Sequence, residues 1–399
     1  MTIPAQAITT RRIAKDVLEL HVGPQHPGSG HMRFVIRLDG DIMVEVDPDI
    51  GFVHRTMEKL AENREWLKAQ PLFERMAILD AANVTIGYFL ALEKLLDIEP
   101  PPRAKYIRTI LCEISRIASH LYGFGILGIF LGHSTAYMWF FGDREVFIEL
   151  AERLTGQRLT YSFFLPGGVR RDIPTGFKDD FEKAARYIEK RLKEYEAIFM
   201  NNPVIRVRVE GVGVLTKDMA VRLGVVGPNA RASGVKHDIR VEEPYDAYPE
   251  LDFEVPVYKE GDALARFLQR VDEIRESLKI IRQALKAMPN GPIIHERYLR
   301  MYTKVMKEVL ETQGRAKIPA AMINLRPPAG EAYARAEAAR GEYFYYLVSN
   351  GGTKPYRARV VSPSFRNVLL FKYLMPGYRL ADFPAIYGSL DYFPPEADR

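Results

Sequence analysis

The spacing of hydrophobic positions changes twice along the 399-residue chain. Near the N-terminus it has a period of two: residues 18–22, 33–38 and 42–46 read as strands, and Asp39-Gly40 is a hairpin signal between the last two. From about His54 the spacing becomes helical. Ile78, Leu79, Ala82, Ile86, Phe89, Leu90 and Leu96 predict a helix over 74–97. Pro100-Pro101-Pro102 ends it and starts the next, which carries Ile107, Ile110, Leu111, Ile114 and Ile117. A helix over 134–155 stops at Gly156, an amphipathic one covers 177–200, and 204–209 alternates as a strand does. Residues 262–288 give a long helix, with Leu264, Phe267, Leu268, Val271, Ile274, Leu278, Ile281 and Leu285 three and four apart. The C-terminal part returns to β: 343–349 and 356–361 flank Asn350-Gly351-Gly352.

The pattern predicts an α+β fold, a central helical bundle with β pieces at both ends of the chain. Its stretches are an N-terminal β region (1–53), a helical core (54–200), a mixed strand and loop region (201–261), long helices completing the bundle (262–313), and a C-terminal β-hairpin with a helical tail (314–399). Residues 117–142 contain no Asp, Glu, Lys or Arg and are long enough to span a bilayer. Ser119, His120, several glycines and the turn-like Gly132-His133-Ser134-Thr135 interrupt them, so two buried helices joined at Gly132 are the preferred reading. The first fifteen residues lack the apolar region of a signal peptide. Membrane association is then expected through partners.

A formal net charge of +5 fits an anionic partner surface or lipid headgroups without requiring nucleic acid, because Lys and Arg are dispersed and no aromatic stacking motif accompanies them. Cys112 stands alone. One cysteine forms no internal disulfide and cannot supply the four thiolates of an iron–sulfur cluster, so any redox centre belongs to another chain. No dinucleotide or phosphate-loop glycine motif follows a strand; Gly123, Gly125 and Gly128 lie in a helical apolar run.

His26 and His31 lie on either side of Gly28-Ser29-Gly30. No Cys or carboxylate completes a metal set, which leaves a turn stabilised by glycines or the polar lining of a small-molecule pocket. Glu74, Arg75 and Asp80 place charges along apolar helices, as inter-helix ion pairs or as the surroundings of a redox centre and proton path. His120, on an apolar helix, is either a satisfied core residue or a hydrogen-bond partner of a reducible centre. Cys112 reads as inert core.

Several segments resemble the 49-kDa (D) subunit of respiratory complex I: Gly23-Pro24-Gln25-His26-Pro27, Gly51-Phe52-Val53-His54-Arg55 with Glu58-Lys59, and Ile114-Ser115-Arg116-Ile117-Ala118-Ser119-His120. So do Leu154-Thr155-Gly156-Gln157-Arg158, Pro166-Gly167-Gly168-Val169, Arg231-Ala232-Ser233-Gly234-Val235, Arg340-Gly341-Glu342 and the chain end from Ser389. That family is similar to the large subunit of nickel-iron hydrogenases, which implies a hydrogenase-like fold. The hydrogenase thiolates would fall on Ala77 and Asp80 and on Phe393 and Glu396, so no metal is expected. Asp80 and Glu396 are expected to carry protons where buried and unpaired.

The resemblance implies that Arg75 and His120 lie beside a 4Fe–4S cluster of a small partner subunit, and that Ser29, Leu72 and Phe130 line the acceptor pocket with His26 or His31 supplying a proton. It implies a quinone as substrate, electrons from NAD(P)H or ferredoxin, a 30-kDa (C)-like partner and membrane-arm subunits that translocate ions. It also implies a peripheral position on the cytoplasmic side of the membrane. Residues 248–254 and 259–266, with Pro394-Pro395, look more like the large subunit of archaeal membrane-bound sulfane reductase. A polysulfide acceptor, or a scaffold that only shields the partner's cluster, are therefore the alternatives.

Overall fold

The computed structural model describes residues 8–14, 17–298 and 325–399. Its N-terminal sheet is an antiparallel meander of β1 (Ile8–Arg12), β2 (Val17–Val22), β3 (Arg33–Asp39) and β4 (Ile42–Asp49). The register aligns Leu20 with Ile36 and Ile36 with Val46, so one face is continuously apolar. The helical part follows: α1 (Met57–Glu62), α2 (Gln70–Glu74), α3 (Ala81–Leu96), α4 (Pro102–Phe130) and α5 (Ser134–Thr155). The minimal strands β5 (Phe164–Leu165) and β6 (Gly168–Val169) precede α6 (Phe177–Tyr195), α7 (Pro203–Val209), α8 (Lys217–Arg222), α9 (Pro228–Arg231), α10 (Ile239–Glu242) and α11 (Ala263–Ala287). The C-terminal part is a second antiparallel sheet, β7 (Gly330–Ala338), β8 (Gly341–Ser349) and β9 (Arg357–Val361), then α12 (Pro363–Asn367), α13 (Leu370–Leu374), α14 (Phe383–Leu390) and α15 (Pro394–Asp398).

α4 has the length and composition of a membrane span, but 89% of its apolar window is buried inside the protein, against α5, α11 and α14. The turn after it falls at Gly132 as expected, with φ +77, though the cap is His133, whose Nδ1 accepts from Ala136 N at 3.0 Å, rather than a hydroxyl.

Two expected elements differ. Residues 204–209 form a helix, not a strand. Asn202 caps it by accepting from Val204 N at 2.9 Å, Pro203 takes the first turn, and Ile205 and Val209 bury one stripe while Val204 and Val207 stay exposed. The helix expected over 74–97 begins only at Ala81. A 105° bend separates it from the helical turns before it, and Asp80 stands at its start. The strand β7 has no counterpart in the sequence pattern because its inward positions are Ala334, Ala336 and Ala338, residues of low strand propensity that let α3 lie close on the sheet. The hairpin expected around Asn350-Gly351-Gly352 is β8–β9, with Tyr345 opposite Val360. The stretch 299–313, expected to be helical, lies outside the described residues.

Two apolar cores result. The larger lies among α3, α4, α5, α6, α11 and the β7–β9 sheet. The other joins the chain's two ends: Phe34 of β3 meets Phe371, Phe383 and Tyr387 edge-on at 4.9–5.7 Å.

Candidate functional site

His26 caps a short 3-10 turn, its Nδ1 accepting from Gly28 N at 3.1 Å. Ser29 is fully buried, and its hydroxyl donates to the carbonyl of His26 at 2.9 Å. Tyr387 donates to the carbonyl of Ser29 at 3.3 Å, and its ring meets Phe130 edge-on at 5.3 Å. A side chain at Gly28 would meet both the His26 ring (3.3 Å) and Phe130 (3.6 Å), so these groups share one corner at the end of α4. Gly388 allows Phe130 in: a Cβ there would stand 2.9 Å from its ring. His31 follows with φ +74 and its side chain exposed. Leu72 packs instead against the helical core. The structure thus brings His26, Ser29 and Phe130 together, adds Tyr387, and places Leu72 in the other core.

A second group of polar side chains is buried where the β7–β8 turn, the start of α3 and the C-terminal tail meet. Asp80 accepts from Asn83 Nδ2 at 2.6 Å and from the backbone N–H of Ala339 at 2.7 Å. Glu396 accepts from the hydroxyls of Tyr343 and Ser364. Arg340, at the turn, donates to the Asp391 carboxylate at 3.2 Å and its carbonyl at 2.8 Å, and lies 3.9 Å from Glu396. Burial pushes the carboxyls of Asp80 and Glu396 above the usual range, and the negative charge of Asp80 adds to the effect at Glu396. Asp80 and Glu396, 316 positions apart in sequence, both feel the Arg340 guanidinium, Asp80 more weakly than it feels Arg116.

The hydrogenase fold raises the question of nickel. Of the four thiolate positions, Ala77 and Phe393 offer no donor atom, and the oxygens of Asp80 and Glu396 are engaged by hydrogen bonds. These residues do not fit a nickel centre.

His120 is fully buried, and its Nε2 pairs with Glu273 of α11 at 2.8 Å. Burial lowers its pKa, against the pull of Glu273. Glu273 also binds Arg231 at 2.7 Å, and Arg231 reaches Glu337 at 2.8 Å. Arg75 faces outward from the end of α2, donating to the carbonyl of Pro71 at 3.0 Å and receiving Arg55 on its own carbonyl at 2.6 Å. No hydrogen bond or ion pair joins Arg75 to His120 among the described residues; one is a surface cation, the other a core group. Under Arg75, Glu74 is buried and accepts from the Ser162 N–H at 2.6 Å and hydroxyl at 3.1 Å. Burial raises its pKa to about 7.

Comparison with known proteins decides the family. Residues 131–399 match the family described as the respiratory-chain NADH dehydrogenase 49 Kd subunit. The D subunit of NADH-quinone oxidoreductase from Carboxydothermus hydrogenoformans is 41% identical over 378 residues, 94% of this chain and 96% of that one. The chain belongs to the 49-kDa subunit family. It is thus a subunit of a complex I-like oxidoreductase that works within a membrane-bound complex. Another member, NADH-quinone oxidoreductase subunit 4 from Thermus thermophilus, is 39% identical over 98% of this chain and 96% of its own length. Among solved structures, a chain of the membrane-bound sulfane sulfur reductase, an archaeal respiratory membrane complex, superposes with a TM-score of 0.88 at 38% identity, covering 98% of this chain and 100% of that one. The 49-kDa family fold, like that of the hydrogenase large subunit, mixes helix and strand as the sequence pattern implies.

Sequence reasoning did not assign roles to Arg340, Tyr343, Ser364 or Tyr387. Arg340-Gly341-Glu342 stood out as a motif, and its first residue proves to be the cation that gathers Asp391 and Glu396. Tyr387 carries no signal in the sequence, because it meets Ser29 only once the two chain ends pack together.

Proposed function

We propose that this member of the 49-kDa family forms, with a small iron–sulfur partner subunit, the place where electrons reach a quinone, on the cytoplasmic face of a membrane and peripheral to it. A 30-kDa-like subunit and ion-translocating membrane-arm subunits complete the assembly. The observation that carries the reading is the corner where His26, Ser29, Phe130 and Tyr387 converge at the end of the long apolar helix α4. It combines aromatic surface with a histidine, as an aromatic headgroup that takes up protons requires. Full-length similarity to chains named as parts of NADH-quinone oxidoreductases supports the same substrate.

A 4Fe–4S cluster on the partner would supply electrons one at a time. Arg75 and its neighbour Arg55 present positive charge outward, where a nearby guanidinium favours the reduced state of an anionic centre. His120, within the core, is tied to Glu273 and through it to Arg231 rather than to that face. His26 or His31 delivers a proton to the reduced headgroup, and Asp80 and Glu396, whose carboxyls burial keeps protonated to higher pH, hold protons behind it.

The alternative is polysulfide reduction in the same frame. The likeness to the sulfane reductase chain favours it, as does the placement of Leu72 in the helical core, away from the corner. The intact complex assayed with quinone and with polysulfide separates the two. Quinone reduction that falls on the order of 10²-fold in His31→Ala supports the first reading. Arg75→Ala should lower the midpoint potential of the partner's cluster. Polysulfide turnover without quinone turnover establishes the second.

A further inference from the structure

Asp391 follows α14 in the left-handed conformation, with φ +50. Its carboxylate is buried. Oδ1 is held by Arg340, and Oδ2 has no hydrogen-bond partner among the described residues. Two further buried polar atoms close by share that condition, Nε of Arg270 on α11 and the hydroxyl of Tyr392. A buried polar atom left without a bond is costly, so three of them around one carboxylate call for a filler.

The space for it exists. A small cavity of about 10 Å³ lies between Gly123, Arg270, Ser389 and Asp391, and a second of about 10 Å³ between Arg340, Ser364, Asp391 and Tyr392. Each has room for about one water molecule, and in each a mostly apolar wall is broken by polar side chains that such a water could bond, Arg270, Ser389 and Asp391 in the first and Arg340, Ser364, Asn367 and Asp391 in the second. The chemistry also matches. Nε of Arg270 only donates, Oδ2 of Asp391 only accepts, and the Tyr392 hydroxyl does either, as does water. Gly123 is what brings α4 against this carboxylate: a Cβ there would stand 3.0 Å from the Asp391 carboxyl carbon.

The two cavities lie between regions already described. The first is also lined by Leu127 and Gly388, and Gly388 is the residue that Phe130 of the acceptor corner packs against. The second is lined by Ser364, whose hydroxyl donates to Glu396. We infer that Asp391 is a proton junction, with one internal water shared with Arg270 and another shared with Tyr392, through which protons pass between Glu396 and the cavity that adjoins the acceptor corner. Once the Ser364 hydroxyl turns its proton from Glu396 to the second water, a protonated Glu396 gives its proton to the Ser364 oxygen as that hydroxyl's own proton passes to the water, and from there a proton moves across Asp391 to the first water. The groups facing Asp391 are Arg340 at the β7–β8 turn, Arg270 on α11, Tyr122 on α4 and Tyr387 on α14. This inference rests on the reading that the corner consumes protons.

The test uses the intact complex. Density maps that resolve ordered water should show one peak in each cavity, and Tyr392→Phe should lose the second peak. Asp391→Asn keeps the shape but turns an acceptor into a donor. It should lower acceptor reduction at least about tenfold and enlarge the solvent deuterium isotope effect, while the partner cluster's spectroscopic signal stays unchanged. If Asp391→Asn does not assemble, Tyr392→Phe with the same isotope measurement takes its place. Empty cavities, or turnover in both variants equal to wild type, overturn the proposal. Rates are measured with whichever acceptor the wild type reduces. The wild type alone thus decides between quinone and polysulfide, and the ratio of variant to wild type decides the role of Asp391.

Discussion

Two buried charge clusters occupy this molecule, and they are built on opposite terms. The first lies among α4, α10 and α11. There Glu113 accepts from Arg116 and Arg240 at 3.2 Å, from Tyr248 at 2.6 Å and from Ser277 at 2.5 Å, while Glu273 holds Arg231, His120 and Gln269. Asp238 pairs with Arg240 at 2.7 Å. Buried as they are, Glu113, Glu273 and Asp238 are held below the usual carboxyl range by these guanidiniums. The second cluster gathers Asp391 and Glu396 around Arg340 with Asp80 nearby, and there Asp80 and Glu396 are pushed up. The amount of burial is the same; what differs is how many basic groups each carboxylate bonds directly. Glu113, Glu273 and Asp238 each have two, whereas Glu337 has only Arg231 and is pushed up, Glu396 lies 3.9 Å from Arg340, and Asp80 bonds none among the described residues. A saturated network fixes charge and joins helices, whereas an undersupplied one leaves carboxyls able to gain and lose protons.

The largest effect should come from breaking the saturated network. Arg231→Ala strands Glu273 and Glu337 without their shared cation, and a buried charge left so costs about 3–5 kcal/mol. The variant complex should unfold well below wild type in a thermal melt or fail to assemble. A melting temperature within a degree of wild type would mean that the network is not what joins α9, α11 and β7.

The undersupplied cluster should respond in the other way. Glu396 receives two hydroxyl bonds, and an amide there keeps one of them and donates to the other hydroxyl once that hydroxyl turns, as a neutral carboxyl does. Glu396→Gln is therefore expected to change stability by about 1 kcal/mol or less. Its effect on pH dependence has a definite sign. The folded-state pKa is raised, so the native carboxyl contributes stability in acid that is lost as the pH rises through that value; the amide does not titrate, and the slope should flatten. Acceptor reduction should fall even though the fold survives. A variant as strongly destabilised as Arg231→Ala would show that Glu396 is ionised and paired after all.

The sequence showed these clusters unequally. The helices, the two β regions and the turn at Gly132 were legible because burial imposes its period on each element separately. Asp80 and Glu396 could be singled out as carboxyls with raised pKa because a carboxylate inside an apolar frame must either find a cation or keep its proton. The cation that both feel could not: Arg340 sits at a hairpin tip whose first strand, β7, is built on alanines and leaves almost no strand signal. The helix over 203–209 was misread for a local reason as well. Alternating Val, Ile and Arg looks like a strand until Asn202 and Pro203 are read as a cap and a first turn. Contacts between the chain ends, such as Tyr387 with Ser29, have no local cause and no local trace.

The smallest effect belongs at the rim, between the two regimes. His237 is half-buried and bonds Glu242 at 2.8 Å and Glu342 at 3.2 Å, and Glu342 also takes Arg366 at 3.0 Å. The hydrogen bond that the ring donates to Glu342, then the one to Glu242, raises the imidazole pKa to about 9. A raised pKa on a base means that the folded state holds the proton more tightly than the unfolded chain. The contribution is complete below the unfolded value near 6.5 and is lost as the pH rises through about 9. Solvent reaches this histidine, so screening should keep the contribution under about 1 kcal/mol. His237→Gln should therefore melt slightly below wild type at pH 6 and together with it at pH 10. A gap that persists unchanged at pH 10 would mean that packing rather than charge holds the ring, and that the paired regime of the interior does not extend to this edge.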